Sequence, residues 1–117
     1  MSREVTDLVL SIFAAYRTGD EKAGAALLSE DFTFTSPRDD RIDKATYFQR
    51  CWANRDKIRS HRIEKLFVSE NEAFVRYECE LTTGARFRNT EFFRIENHRI
   101  KEVEVYFGAS LQGPSEG

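Results

Sequence analysis

The N-terminal part of the chain carries hydrophobic residues at helical spacing. Steps of three and four residues separate six apolar side chains and place them on one helical face: Val5, Leu8, Val9, Ile12, Phe13 and Tyr16. Gly19 is predicted to end this helix, since glycine readily adopts the left-handed conformation of a helix end. Asp20 is predicted to cap a second, short helix that runs to about Leu28. The pattern therefore predicts an αα-hairpin.

The middle of the chain combines a short strand with a third helix. Residues 32–36 alternate apolar and polar, which predicts a strand with Phe32, Phe34 and Ser36 on one face, stopped by Pro37. A charged loop is expected over 38–41, where neighbouring acids are interpreted as solvated loop residues. Asp43 is predicted to cap the third helix, one side of which carries Ala45, Phe48, Cys51, Trp52 and Arg55.

From about residue 61 the hydrophobic period changes from helical to two. Turn signals at 70–71, 83–84 and 96–98 divide this region into four strands, which short connections make an antiparallel meander. Helices followed by strands predict a two-layer α+β domain over residues 1–110. A flexible tail is expected over 111–117, because this segment is rich in glycine, proline and serine.

Composition and charge narrow the possible partners. The formal charge of −2 and the pI near 5.7 argue against nucleic acid or an anionic membrane as a partner. No stretch has the length or the apolar character of a membrane span or a signal sequence, so a cytoplasmic location is expected. Cys51 and Cys79 lie in apolar patterns and are interpreted as reduced packing residues. The spacing of residues suggests no metal site or cofactor.

Several segments, taken in order, resemble one family. They are Thr18-Gly19-Asp20, Glu30-Asp31-Phe32 through Ser36-Pro37, Trp52-Ala53-Asn54, Glu91 to Ile95, and Val105 to Gly108. With these segments in this order, the chain resembles the SnoaL-like and ketosteroid-isomerase-like branch of the nuclear transport factor 2-like superfamily. The resemblance implies a cone-shaped curved antiparallel sheet, covered by three N-terminal helices, in the manner of a cystatin-like α+β barrel.

The resemblance also implies a pocket for a small, apolar molecule in the open end of the cone. Apart from Glu91 and Tyr16, the expected ligand-binding residues are Ile12, Phe13, Phe34, Ser36, Trp52, Tyr77, Cys79, Phe93, Val103, Val105 and Phe107. The residue pattern agrees in part, because Asn89, Glu91, Phe93 and Ile95 share one face of their strand.

Glu91 and Tyr16 are the candidate catalytic residues. In ketosteroid isomerases one carboxylate removes a proton, while a tyrosine and a neutral carboxylic acid stabilise the oxyanion. Glu91 occupies the position of the neutral acid, but Ser36 stands at the position of the base and cannot remove such a proton alone. Ile12 is at the tyrosine position, with Tyr16 one turn further along. Limonene-epoxide-hydrolase relatives use an Asp-Arg-Asp set in their last strands, and here Val105 stands at the position of the final acid.

Two functional hypotheses follow. In the first, the protein is an isomerase, lyase or hydrolase that acts on an apolar carbonyl-bearing metabolite, with Glu91 as acid/base or hydrogen-bond donor. In the second, it is a non-catalytic ligand-binding or dimerisation module, and Glu91 pairs with Arg86, Arg88 or a tyrosine. His61 is expected at a surface strand end, with the cavity mouth as an alternative.

The outer face of the sheet is predicted to form a homodimer. Arginines and glutamates alternate on this face with Phe92 and Tyr106. A two-fold contact would match the opposite charges and bury the two rings.

Overall fold

Three α-helices and one six-stranded sheet make up the part of the chain described by the computed structural model, residues 2–111. The helices are α1 (Ser2–Thr18), α2 (Glu21–Leu27) and α3 (Lys44–Arg50), and a 3₁₀ helix spans Trp52–Lys57. The strands are β1 (Leu28–Ser36), β2 (Asp39–Asp43), β3 (Ile58–Ser69), β4 (Glu72–Leu81), β5 (Arg86–Glu96) and β6 (Arg99–Ser110). The predicted tail, beyond Leu111, lies outside the described residues.

Local capping residues fix the ends of the helices as the sequence predicts. Asp20 accepts a hydrogen bond from the Ala23 amide at 3.0 Å and so begins α2. Asp43 accepts from the Thr46 amide at 2.9 Å and begins α3. Gly19 has a φ of +75°, the left-handed conformation that turns the chain between α1 and α2. The αα-hairpin is therefore confirmed.

The sheet has the strand order β2-β1-β6-β5-β4-β3. Strands β3 to β6 form the predicted antiparallel meander, with turns at the predicted positions. The pair β1–β6 is parallel, so the sheet is mixed, which corrects the expectation of a wholly antiparallel one. The sheet is curved but does not close into a barrel, because β2 and β3 stay at opposite edges. The α+β class with three helices on a curved sheet is confirmed.

The expected charged loop after Pro37 is in fact the beginning of β2. Ser36 pairs with Asp39 across a tight turn, and Phe34 pairs with Ile42. The third helix also differs from prediction, because α3 ends at Arg50 and the chain continues as a 3₁₀ helix from Trp52. The 3₁₀ helix winds at three residues per turn, which changes the direction of the side chains beyond Arg50.

The hydrophobic core lies between α1 and the concave face of the sheet. Val5 and Val9 of α1 are fully buried in one cluster with Phe32, Phe93 and Ile100 from three strands. Burial of such side chains supplies about 1.5–3 kcal/mol each against exposure to water. This packed region fixes α1 on the sheet and leaves its C-terminal half, around Ile12 to Tyr16, to border an open space.

Candidate functional site

A cavity of about 250 Å³ lies between the helices and the concave face of the sheet. Most of its wall is apolar, with contributions from α1, α3, the 3₁₀ helix and all six strands. Nearly all of the residues predicted to bind a ligand line it: Ile12, Phe13, Tyr16, Phe34, Ser36, Tyr77, Cys79, Glu91, Phe93, Val103, Val105 and Phe107. Phe107 lies at the exposed end, where the Arg38 guanidinium is 5.7 Å from its ring centroid.

Trp52 is the predicted site residue that does not line the cavity. Its indole packs instead on α2, where Gly24 leaves room for the ring, and against Tyr16 and Phe48. The ring centroids of Trp52 and Tyr16 are 5.4 Å apart.

Glu91 stands in this cavity at the end of a chain of hydrogen bonds. The Tyr77 hydroxyl donates to Glu91 Oε2 at 2.5 Å, and Asn89 Nδ2 donates to the Tyr77 oxygen at 3.3 Å. The Gly108 amide in turn donates to Asn89 Oδ1 at 3.4 Å. Tyr77 and Asn89 are both buried. The chain of bonds therefore holds one carboxyl oxygen of Glu91 in place and leaves Oε1 available to the cavity.

Burial in this apolar wall raises the pKa of Glu91 to about 7, although the hydrogen bond from Tyr77 acts in the opposite direction. The arginines that were alternative partners do not reach it. Arg86 binds Glu78 at 3.0 Å, and Arg88 binds Glu64 at 2.9 Å, both on the outer face of the sheet. Near neutral pH, Glu91 is thus divided between a neutral acid, which can donate a hydrogen bond, and a carboxylate.

The hydroxyl of Tyr16 is already engaged. It donates to the backbone carbonyl of Cys51 at 3.1 Å, while the ring borders the cavity. Burial raises the pKa of Tyr16 well above its ordinary value, with smaller contributions from Cys51, Cys79 and Glu91. The geometry thus assigns the donor next to Glu91 to Tyr77, whereas Tyr16 contributes mainly the edge of its ring.

His61 lies in the cavity wall, away from the surface strand end where it was expected. Its ring is 5.3 Å from the ring of Tyr77 and 5.6 Å from those of Phe13 and Tyr16. Burial, and to a lesser extent the charge of Arg17, lowers the pKa of His61 to about 4. His61 is therefore a neutral imidazole at physiological pH and presents a weakly basic polar edge to the cavity.

A second carboxylate in the wall was missed by the sequence analysis. Asp39 lines the cavity, and its side chain is only 11% exposed. Ser36 Oγ donates to Asp39 Oδ2 at 3.1 Å, and Arg50 lies 2.9 Å from Oδ1. Recognition of Pro37-Arg38 as a two-residue hairpin turn would have revealed it, since residues directly opposite in a hairpin share one face.

The two cysteines are both free and both border the cavity. Burial raises the pKa of each thiol, Cys51 and Cys79, to about 11, so neither is a ready nucleophile at neutral pH. Among residues 2–111, no group of three or more potential metal ligands comes together. No helix within the same range is both long and apolar enough to cross a membrane.

Comparisons with known proteins agree with this arrangement. The sequence profile of the SnoaL-like domain matches residues 9–103, and the chain therefore belongs to the SnoaL-like family, whose fold is nuclear transport factor 2-like. An NTF2-like protein of unknown function from Cytophaga hutchinsonii is 25% identical, with 88% of each chain covered and a TM-score of 0.73. A search of curated proteins finds no match.

Two more distant structures share the fold. An LEH-like epoxide hydrolase from M. tuberculosis is 16% identical, with 91% of this chain and 84% of the other covered and a TM-score of 0.76. A de novo designed protein with a curved β-sheet is also 16% identical, with 98% of this chain and 89% of the other covered and a TM-score of 0.80. Since a designed protein shares the architecture, the fold alone does not specify a reaction.

Proposed function

We propose that this protein binds a small, largely apolar molecule through a carbonyl group, with Glu91 as hydrogen-bond donor and acid/base. The reaction class is that of an isomerase, lyase or hydrolase. The observation that carries the proposal is a carboxyl group, Glu91, in the wall of an apolar cavity, where Tyr77 holds one of its oxygens and neither Arg86 nor Arg88 pairs with it. A neutral carboxylic acid in such a place stabilises negative charge that develops on a carbonyl oxygen.

The cavity supports a ligand of modest size. Its volume of about 250 Å³ lies just below the range of roughly 300–1,000 Å³ typical of small-molecule sites. Its wall is mainly aromatic and aliphatic side chains, with seven polar or charged residues among them. A compound with one or two rings and a single carbonyl matches this combination of space and polarity.

The pH dependence of binding tests the role of Glu91. If only the neutral acid donates, the affinity for a carbonyl probe such as 2-acetonaphthone weakens about tenfold per pH unit above pH 7. Glu91→Gln keeps a donor but does not titrate, so its affinity stays constant between pH 6 and 9. Glu102→Gln, on the same sheet, is the matched control and retains the wild-type profile. Binding without pH dependence in the wild type, or no binding by any carbonyl compound in a thermal-shift screen, would overturn the proposal.

A second candidate is a non-catalytic binding module. Ser36, which stands where ketosteroid isomerases carry the proton-removing base, favours this reading. Proton exchange separates the two functions. For a bound ketone in D₂O, NMR detects deuterium incorporation beside the carbonyl if the site performs acid/base chemistry, and Glu91→Gln slows it. Binding with no exchange in either protein supports the module.

We also propose a homodimer through the outer face of the sheet. Phe67, Phe74 and Phe92 face one another across β3, β4 and β5, and Phe67 is 68% exposed. Phe74 and Phe92 have ring centroids 5.2 Å apart. Arginine–glutamate pairs surround this aromatic row, among them Arg94 with Glu102 at 3.1 Å. An apolar row that is bordered by side chains of both positive and negative charge is self-complementary under two-fold symmetry.

The cytoplasm is the setting that we propose for this protein. Free thiols at Cys51 and Cys79 suit a reducing compartment. The near-neutral net charge of −2 gives no support for anchoring to an anionic surface.

A further inference from the structure

The cavity has a second polar point besides Glu91, formed by Asp39 and Ser36. Asp39 Oδ2 accepts a hydrogen bond from the Ser36 hydroxyl, and Ser36 Oγ itself accepts one from the Arg38 amide at 3.0 Å. Asp39 Oδ1 is buried and lies 2.9 Å from an Arg50 nitrogen, but it receives no well-directed hydrogen bond within residues 2–111. A buried acceptor without a donor is uncommon in folded proteins, and here it lies at the cavity wall.

Arg50 forms an ion pair with this carboxylate but makes no well-directed hydrogen bond to it. Its side chain is 55% exposed, whereas that of Asp39 is 11% exposed, so the ion pair is open to water on the arginine side. Exposed pairs of this kind contribute little free energy. Each carboxylate oxygen also has more than one lone pair. The 11% of the Asp39 side chain that stays exposed borders the cavity, and this part of the carboxylate can accept a hydrogen bond from a molecule there.

The register of the sheet places Asp39 and Glu91 on strands that are separated by two others, β1 and β6. Thr35 of β1 pairs with Glu104 of β6, so the next residue, Ser36, stands beside Val105. Val105 in turn pairs with Glu91 of β5. Two strand spacings, about 10 Å, thus separate the backbones of Ser36 and Glu91, and the backbone of Asp39 lies one spacing further away, about 14 Å from that of Glu91. All of these side chains except Thr35 and Glu104 line the cavity, and Val105 forms an apolar floor between the two polar points.

We propose that Asp39 determines ligand specificity by accepting a hydrogen bond from a hydroxyl group, so that the ligand is a hydroxy-carbonyl compound held at both ends. This inference rests on the proposed function for the carbonyl end at Glu91. The apolar body of the ligand lies over Val105, with its carbonyl oxygen at Glu91 and its hydroxyl at Asp39. A hydrogen bond to a charged acceptor contributes more than one between neutral groups, which makes the hydroxyl a strong selector.

Two fluorescent probes test this inference at pH 6, where Glu91 is mainly protonated. The probe 6-hydroxy-2-acetonaphthone carries both groups at opposite ends of a rigid naphthalene, whereas 2-acetonaphthone carries only the carbonyl. The wild-type protein should bind the hydroxylated probe about tenfold more tightly. Asp39→Ala should bring the two affinities to within twofold of each other. Asp40→Ala, a change at the exposed neighbour, should leave the ratio unchanged.

The possible outcomes separate this inference from the proposed function. Equal affinities in the wild type, or a preference that survives in Asp39→Ala, overturn the role of Asp39 but leave the carbonyl site intact. Failure of both probes to bind overturns the proposed function itself. If circular dichroism shows that Asp39→Ala does not fold, Asp39→Asn decides the question. Asp39→Asn keeps the shape of the side chain but loses its negative charge, and it should lose most of the preference for the hydroxylated probe.

Discussion

At the scale of single residues, the cavity gives two ionisable side chains opposite responses. Burial favours the neutral form of any group, which raises the pKa of Glu91 to about 7 and lowers that of His61 to about 4. Both residues are consequently neutral around pH 6. Neither of these two groups then bears a charge in the cavity wall.

These shifts predict opposite effects of pH on stability. Between pH 4.5, the ordinary pKa of glutamate, and pH 7, folded Glu91 holds more protons than unfolded Glu91, so its contribution to the free energy of unfolding falls as pH rises. Between pH 4 and 6.5, unfolded His61 holds more protons, so its contribution rises with pH. Over the shared range from 4.5 to 6.5 the two slopes partly cancel in the wild type.

Variants separate the two contributions. Relative to the wild type, Glu91→Gln should gain stability as the pH rises from 4.5 to 7, and His61→Gln should lose stability as it rises from 4 to 6.5. Each change is at most about 3 kcal/mol, and less because both side chains are partly exposed. Urea unfolding across this pH range measures both slopes. Slopes of the same sign in the two variants would refute the assigned charge states.

At the scale of elements, α2 depends on one glycine to accommodate Trp52. A Cβ atom at Gly24 would lie 2.7 Å from two carbons of the indole, closer than packed side chains allow. Helix propensity alone predicts that Gly24→Ala stabilises by about 1 kcal/mol. We expect instead a loss of about 1–3 kcal/mol, because the ring and helix must separate.

The indole itself provides the control for this prediction. Trp52→Leu removes the ring atoms that the new methyl group would meet. In that background Gly24→Ala should be neutral or stabilising. Thermal unfolding of the wild type, the two single variants and the double variant gives the coupling free energy between positions 24 and 52. Stabilisation by Gly24→Ala in the wild-type background would show that α2 and Trp52 are not in close contact.

The elements that sequence could predict are those determined by local signals. Caps at Asp20 and Asp43 and turns in the meander follow from the residues beside them. Strand β2 was missed because it is short, charged and at an edge, and pairing with β1 rather than an apolar pattern makes it a strand. Asp39 was consequently assigned to a loop instead of the cavity.

The position of His61 shows a second limit. In a regular strand Ile58 and His61, three residues apart, face opposite sides of the sheet. The register of β3 shifts between Ile58 and Ser60, however, and both residues line the cavity. Such a bulge depends on the neighbouring strand and leaves no clear mark in a single sequence. His61 and Asp39 were thus missed for similar reasons, because His61 follows a bulge in β3 and Asp39 follows a tight turn.

At the scale of the whole molecule, the two faces of the sheet differ in exposure. The concave face encloses the cavity, and the outer face carries the aromatic row of Phe67, Phe74 and Phe92. If that row forms the proposed dimer contact, Phe74→Glu should place a charge in its centre and yield monomers without affecting the cavity. Exposed Phe107, at the mouth of the cavity, is the control position for Phe107→Glu.

Sedimentation velocity at micromolar concentration distinguishes these results. We expect a dimer for the wild type and for Phe107→Glu, and a monomer for Phe74→Glu. A wild-type monomer at that concentration would contradict a dimer through this face.

The protonation state of Glu91 is the property on which the whole functional account depends. NMR titration of protein labelled with carbon-13 at the glutamate carboxyl groups measures it directly, with Glu91→Gln to assign the signal. We predict a midpoint near pH 7 for Glu91. Tyr77→Phe should raise that midpoint further, because it removes the hydrogen bond that lowers the pKa of Glu91. A midpoint near 4.5, unaffected by Tyr77→Phe, would contradict the account.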